Sequence, residues 1–427
     1  MSKRDLWTMT LLGLACLFLF ADQNLLAPNL TAIADEFGFD AVERDVKLGG
    51  DIALIFWMLG GVVAMAVGVM TDRLPRKPLF VAVVLVGELP CFLTGFVETY
   101  EQLYWLRALT GIGIGGALPL AFSLLGDLFG ARSRGTAVAV IGFAMGLGIA
   151  IGQLIAGFVG PEHGWRLPFM IVAAPNFLIG LLFAFTVREP ERGRTEEALK
   201  DRLAEGEVYG ARIDLSKVGE IFRTPTNLLI FLQGIPGTVP WGVFFVFLND
   251  FYAQEKGYTV QEATLIVMAI GGAAIVGGLV GGILGGWLYN RSPRLLPLLA
   301  GGSTLVGIVP TALLLSWPGG SFTVPLILAV LTGFTITITG PCVRTMLLDV
   351  NAPETRGTAF ALYNLADDLG KGLGPAIIAV LIASFGRLTA FHVANLFWVF
   401  CGIALLVSMR YFPRDEAALQ ERLATRS

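Results

Sequence analysis

The chain has 427 residues, 55% of them hydrophobic and 15% charged, with a formal net charge of −3 and a mean hydropathy of +0.72. A soluble domain carries about 25% charged residues, so this composition excludes an ordinary water-soluble globule and indicates a membrane protein. Nothing in the charge balance calls for a nucleic-acid partner.

A membrane-spanning helix needs about 20 mostly apolar residues. Twelve such segments are predicted in order: 6–30, 49–71, 78–98, 102–128, 135–159, 167–187, 225–250, 261–289, 295–316, 322–350, 357–384 and 388–410. Met1–Asp5 is basic, but the apolar run after it passes Ala21, which indicates a first spanning helix rather than a cleaved leader. Residues 188–224 are polar and read as a linker, with short surface helices expected near 195–205 and 214–222. The expected organisation is therefore a six-helix bundle over 1–188, a cytoplasmic linker over 189–224 and a second six-helix bundle over 225–427. Cys16, Cys91, Cys342 and Cys401 lie in four different apolar segments with no CxxC spacing, so neither a metal site nor a disulfide framework is expected.

Charge placement gives an orientation. Of the 30 lysines and arginines, 22 fall on the side of the N-terminus and five (Arg44, Lys47, Arg166, Lys256 and Arg387) on the other. Arg107, Arg344 and Lys371 lie within helices. By the positive-inside rule both termini and the linker are expected to be cytoplasmic.

The two halves share a grammar. Gly68, Arg73, Pro75 and Arg76 line up with Gly286, Arg291, Pro293 and Arg294. Pro119, Asp127 and Arg134-Gly-Thr-Ala recur as Pro341, Asp349 and Arg356-Gly-Thr-Ala at a constant offset of 222. Duplicated halves of apolar helices are the signature of a transporter working by alternating access. The loop after the second segment carries Gly68, Asp72, Arg73, Arg76 and Lys77. With the helix count, linker and repeat, it resembles the major facilitator superfamily. In the second copy Asn290 replaces the aspartate. The resemblance implies an all-α membrane fold of two pseudo-symmetric six-helix bundles.

A finer resemblance is to the Spinster lipid transporters. It is carried by Asp22, by RALTGIG at 107–113, by Gly126-Asp127-Leu128-Phe129 with Arg132 and Arg134, and by REPERG at 188–193. The chain departs from that family at Gln23, where an arginine is usual, and at Ile114, where a glutamate is usual. The resemblance implies a lysophospholipid or sphingoid phosphate as substrate.

Ionisable groups within a membrane are costly and mark functional positions. At 1.5 Å per residue, Asp22 lies roughly 24 Å along the first segment and Arg107 about 8 Å below the outer surface, at similar depth. Glu88 falls near the midplane. These three are the proton-coupling candidates: Asp22 is expected to exchange a proton, with Arg107 as its partner when ionised. A static ion pair and a neutral, hydrogen-bonded Glu88 are the competing readings.

In the second half Asn364, Asp367, Asp368 and Lys371 share one helix face by their i, i+3, i+4, i+7 spacing, either lining a cavity or neutralised as an Asp367–Lys371 pair. With Asn24, Gln153, Trp241, Phe244, Arg344 and Tyr363, they form the expected substrate cavity, although Arg344 serves equally as an anion-binding or a gate residue. Pro236 and Pro240 are expected to bend or break the seventh segment. Gly68, Asp72, Arg73, Arg76, Asp127, Arg134, Asp349 and Arg356 form the expected cytoplasmic gate. There Asp72 and Asp127 would meet the start of the eleventh segment near Gly357.

His163 and His392 are the only histidines, and there is no nucleophile–base constellation or phosphate-binding GxxxxGK[ST] loop. The expected function is not enzymatic. It is secondary transport of an amphipathic substrate, coupled to protons, by a monomer without cofactor in a bacterial-type inner membrane, in contact with membrane lipid. A small organic anion or hydrophobic drug is the alternative substrate.

Overall fold

The computed structural model describes residues 3–129, 131–189, 218–352 and 355–424. The linker helix expected near 195–205 lies outside them. Among the described residues, 12 helices are long and apolar enough to cross a membrane. Their outer surfaces are greasy: Phe185 is 84% exposed, Ile283 76% and Leu232 70%. Water would not tolerate so many bare apolar side chains, whereas hydrocarbon does.

Contacts divide the chain into two compact units, 1–40 with 55–212 and 41–54 with 213–427. In the first unit, α1 (Lys3–Ala21) ends in two 3-10 turns, Asp22–Asn24 and Ala27–Asn29, before α2 (Leu30–Phe37). Asp22 and Asn24 favour turns, and Pro28 has no N–H to continue a helix. The uninterrupted helix expected over 6–30 is thus broken at its aspartate. The remaining helices are α3 (Ile52–Arg73), α4 (Arg76–Leu93), α5 (Tyr100–Leu128), α6 (Ala131–His163) and α7 (Leu167–Thr186). Leu12, Leu19, Phe80, Leu120, Leu124 and Phe183 are fully buried in the core of this unit.

Small residues let the helices approach. A methyl group on Gly87 of α4 would lie 2.6 Å from Cα of Gly113 on α5, so only glycine fits where these backbones meet.

The second unit takes in the short stretch before α3: Ala41–Glu43 and a π-helical run, Arg44–Asp51. Its other elements are α8 (Val218–Arg223), α9 (Pro225–Glu255), α10 (Val260–Tyr289), α11 (Leu295–Ser316), α12 (Thr323–Thr337), α13 (Thr339–Val350), α14 (Arg356–Phe385), α15 (Arg387–Ser408) and α16 (Phe412–Ala424). Despite Pro236 and Pro240, α9 is one continuous helix. Neighbouring side chains bond its backbone: the Trp398 indole donates to the Gly237 carbonyl at 2.9 Å. The tenth predicted segment is instead interrupted at Ile338, ahead of Gly340 and Pro341. Asn227 and Asn351 exchange two amide hydrogen bonds of 2.8 Å. α10 begins with a capping box between Thr259 and Glu262.

The α4–α5 approach makes a prediction. Gly87→Ala should destabilise the protein by about 1–3 kcal/mol through overpacking, read as a lower thermal midpoint in detergent. Gly68→Ala, whose new methyl would meet no described atom within 4 Å, should leave the midpoint unchanged.

Candidate functional site

The break after α1 creates the main polar centre of the first unit. Where the helix ends, the Asp22 carbonyl is released from the regular ladder, and Arg107 Nη2 of α5 donates to it at 3.1 Å. The same nitrogen meets Asp22 Oδ1 at 3.2 Å. The guanidinium lies 5.2 Å from the ring centre of Phe56 and 5.4 Å from that of Phe169, a cation held by aromatic faces and one carboxylate. Glu88 and Cys91 project from one face of α4 at i, i+3. Asn176 of α7 donates to Glu88 Oε1 at 2.5 Å and to the Ala15 carbonyl at 3.1 Å. Asp22 and Glu88 are fully buried, and Arg107 is 1% exposed.

Each carboxylate keeps one oxygen without a hydrogen-bond partner, Asp22 Oδ2 and Glu88 Oε2, as do Arg107 Nε and Nη1. Single ligand atoms of Asp22, Glu88 and Cys91 lie within 4.8 Å of one another, the spacing a metal would need. The Arg107 cation already stands against Asp22, however, and repels a second positive ion. The donor set therefore suits a proton better than a metal. Asn24 is buried nearby in sequence, and Gln153 of α6 is buried with neither amide atom bonded.

At the opposite end of the first unit, Arg76 is 2% exposed at the start of α4. Its Nη1 pairs with Asp127 of α5 and its Nε with Glu189 at 3.3 Å. Glu189 also accepts from the backbone N–H of Arg76 at 2.9 Å and of Lys77 at 2.7 Å. An acid there caps the helix and complements its dipole. The described partner of Asp127 is therefore an arginine of its own unit. Glu189, which sequence reasoning used only as part of a family motif, belongs to the same cluster. The side chains of Asp72, Arg73 and Arg134 lie outside the described residues, and the Gly68 carbonyl accepts from the Thr71 hydroxyl at 2.6 Å.

In the second unit, Lys371 bonds Asp368 at 3.3 Å, so its described pairing is i, i+3 rather than the i, i+4 alternative with Asp367. Asp367 is hydrogen-bonded to Tyr363 one turn away. Arg344 and Asn364 are exposed. Trp241 stacks on Phe245 with ring centres 5.5 Å apart and meets Trp398 edge-on at 6.1 Å. Phe244, 4% exposed, packs on Trp398. Arg356 donates to the carbonyls of Leu348 and Asn351 at 3.0 and 3.1 Å, closing the end of α13, where Asp349 is half-buried.

A third cluster escaped the sequence reading, which counted Arg44 and Arg387 only as topological charges. Gly386, at φ 78°, turns the chain between α14 and α15 and brings Arg387 into the second unit's interior. Arg387 Nε bonds Asp45 Oδ2 at 2.9 Å, Nη2 bonds Asp45 as well, and Nη1 meets Asp250 Oδ2 at 2.8 Å. Arg44 reaches Asp45 at 3.0 Å and Asp250 at 3.6 Å. Two arginines thus face two aspartates whose side chains are 2% exposed, and Glu255 approaches Arg387 Nε at 3.9 Å from the exposed side. The signal available was Asp250, an acid at the end of an apolar segment.

Residues 12–324 and 276–427 match the family described as the Major Facilitator Superfamily. Among relatives, the chain is 24% identical to the Multidrug resistance protein MdtG of Proteus mirabilis, over 88% of this chain and 89% of that one. It is also 24% identical to the cis,cis-muconate transport protein of Acinetobacter baylyi, over 93% of each. Among solved structures it resembles a bacterial homolog of the human lysosomal transporter Spinster, in an inward-facing and unoccupied conformation. The TM-score is 0.82 at 20% identity, covering 97% of this chain and 99% of that one.

The arginine–aspartate quartet yields a stability prediction. Arg387→Met should cost about 3–5 kcal/mol, because it leaves buried carboxylates short of a cation. Adding Asp250→Asn should recover most of that loss, measured as thermal midpoint and folded yield in detergent.

Proposed function

The chain belongs to the Major Facilitator Superfamily and is an integral membrane transporter rather than an enzyme; we propose that it couples proton movement to transport of an amphipathic, lipid-like anion or zwitterion, such as a lysophospholipid or sphingoid phosphate. The observation that carries the coupling is the Asp22–Arg107 pair, 3.2 Å apart and fully buried at the break of the first spanning segment. A buried ion pair contributes little net stability, and its place in a membrane interior supports a working role. Protonating Asp22 removes the charge that holds Arg107, frees the guanidinium and lets the break in the first spanning segment change shape. Losing the proton restores the pair. The cycle alternates access between the two faces of the membrane.

The domain reading is a six-helix bundle over 1–188, a cytoplasmic linker over 189–224 and a second bundle over 225–427. The protein works as a monomer in a bacterial inner membrane with both termini cytoplasmic, in keeping with its charge asymmetry. Arg344, Asn364, Asp367 and Lys371 present both charge signs on the second unit, which suits a zwitterionic headgroup. Trp241 offers an aromatic face for an apolar tail. Asp127 and Arg76 serve the cytoplasmic gate with Glu189, and Gly68, Asp72, Arg73, Arg134, Asp349 and Arg356 complete it. The second reading is a small organic anion or hydrophobic drug, favoured by relatives named for muconate transport and multidrug resistance.

The test is uptake into proteoliposomes under an imposed pH gradient, comparing a labelled lysolipid with a small carboxylate and a cationic dye. Gradient-stimulated movement of the lysolipid is expected, and Asp22→Asn should remove the stimulation. Movement of only the carboxylate or the dye would replace the substrate assignment. Normal gradient-driven uptake by Asp22→Asn would refute the coupling role.

A further inference from the structure

We propose that the coupling proton is held jointly by Asp22 and Glu88, so that Glu88 is a second proton carrier rather than a neutral packing residue; this rests on the proton-coupled reading above. The argument is a count of charges in a closed space. Asp22 and Glu88 are each 0% exposed, and their carboxylate oxygens approach within 4.8 Å. Among the described residues, one cation, Arg107, faces them.

The other groups around them carry no charge. These are the Cys91 thiol on α4, whose Sγ lies 3.8 Å from the Phe169 carbonyl and within reach of Asp22, the Asn176 amide on α7, and the Phe56 and Phe169 rings against the guanidinium. Two carboxylates and one guanidinium leave one negative charge uncompensated in a space closed to bulk solvent. Like charges this close do not both ionise.

The hydrogen bonds lead to the same count. Arg107 satisfies Asp22 Oδ1 and Asn176 satisfies Glu88 Oε1. Asp22 Oδ2 and Glu88 Oε2 are left without a donor, and both are acceptors when ionised. A single proton on either carboxyl supplies the missing donor and cancels the excess charge. The neutral state of the centre is one carboxylate, one carboxylic acid and one guanidinium. Releasing the proton leaves a net charge of −1 that draws the carboxylates toward Arg107 and restores the pair. Position also fits: Glu88 comes from α4 and Arg107 from α5, which are brought together at Gly87 and Gly113.

The same count makes the test specific. With either carboxylate removed, one acid faces one guanidinium and no proton is needed. Infrared difference spectra across a pH titration of the full-length protein in lipid should show the carbonyl band of one buried carboxylic acid. That band should be absent from both Glu88→Gln and Asp22→Asn, and Glu88→Asp should restore it. The two amide changes are near-isosteric, and a single symmetrical gel-filtration peak establishes the fold of each variant. A band that survives in Glu88→Gln places the proton on Asp22 alone. One that survives in Asp22→Asn marks Glu88 as permanently neutral. Either result overturns the shared proton.

In the uptake assay, Glu88→Gln should lose stimulation by the pH gradient. Wild-type uptake indifferent to the gradient would instead overturn the proton-coupled reading, with the infrared result still deciding whether the two acids share a proton.

Discussion

Hydrocarbon offers a charge or a backbone carbonyl nothing to bond, and every polar feature of this protein is shaped by that constraint. It drives the backbone into helices. It also decides what happens where a helix fails. At Asp22 the first spanning segment breaks, and the carbonyl released there is taken up by Arg107 together with the aspartate side chain. Break, charge and counter-charge depend on one another. Without the guanidinium, the break would leave a bare carboxylate in the membrane and a carbonyl bonded only by the Leu25 N–H at 3.5 Å.

The same constraint separates three kinds of buried charge. Among the described residues, Arg44 and Arg387 meet the buried Asp45 and Asp250 through direct guanidinium–carboxylate contacts, with the exposed Glu255 at the edge. Such a group resists change. In the Arg76–Asp127–Glu189 cluster Glu189 is 35% exposed and caps a helix end, so solvent and the helix dipole share its charge. The centre at Asp22, Glu88 and Arg107 has an excess acid among the described residues, and neither outlet is open to it. Imbalance without solvent makes a centre that responds to protons, whereas direct pairing makes a clamp.

The halves repeat in sequence and diverge in chemistry. Arg76 in the first unit is held by two acids. In the second unit Arg356 is taken up by the carbonyls at the end of α13, and Glu416 of α16 receives the Tyr289 hydroxyl. The terminal helix α16 has no forecast counterpart in the sequence reading. Its Asp415 accepts from both the backbone and the hydroxyl of Thr226 at the start of α9, at 2.9 and 2.6 Å.

What the sequence by itself determined is everything set by apolar length and one-dimensional spacing. The twelve spanning segments, the doubled loop motif and the depth of Asp22 relative to Arg107 all follow from a fixed rise per residue and the cost of placing charge in lipid. Spacing along one helix also put Asp367, Asp368 and Lys371 on a common face, but the choice of Asp368 as the described partner of Lys371 depends on rotamers, which spacing does not specify.

Only the tertiary structure decided which distant groups meet. Asp45 and Arg387 are 342 positions apart, Arg76 and Glu189 113 apart, and Glu88 and Asn176 88 apart. No local propensity encodes such pairs. They arise because glycine contacts fix how closely helices approach, and because broken turns aim carbonyls and carboxylates in directions that a regular helix would not. The pairing of Asp22 with Arg107 was legible from depth alone. The proximity of Glu88 as a second acid with one oxygen unbonded was not, since it depends on α4 and α5 touching at two glycines.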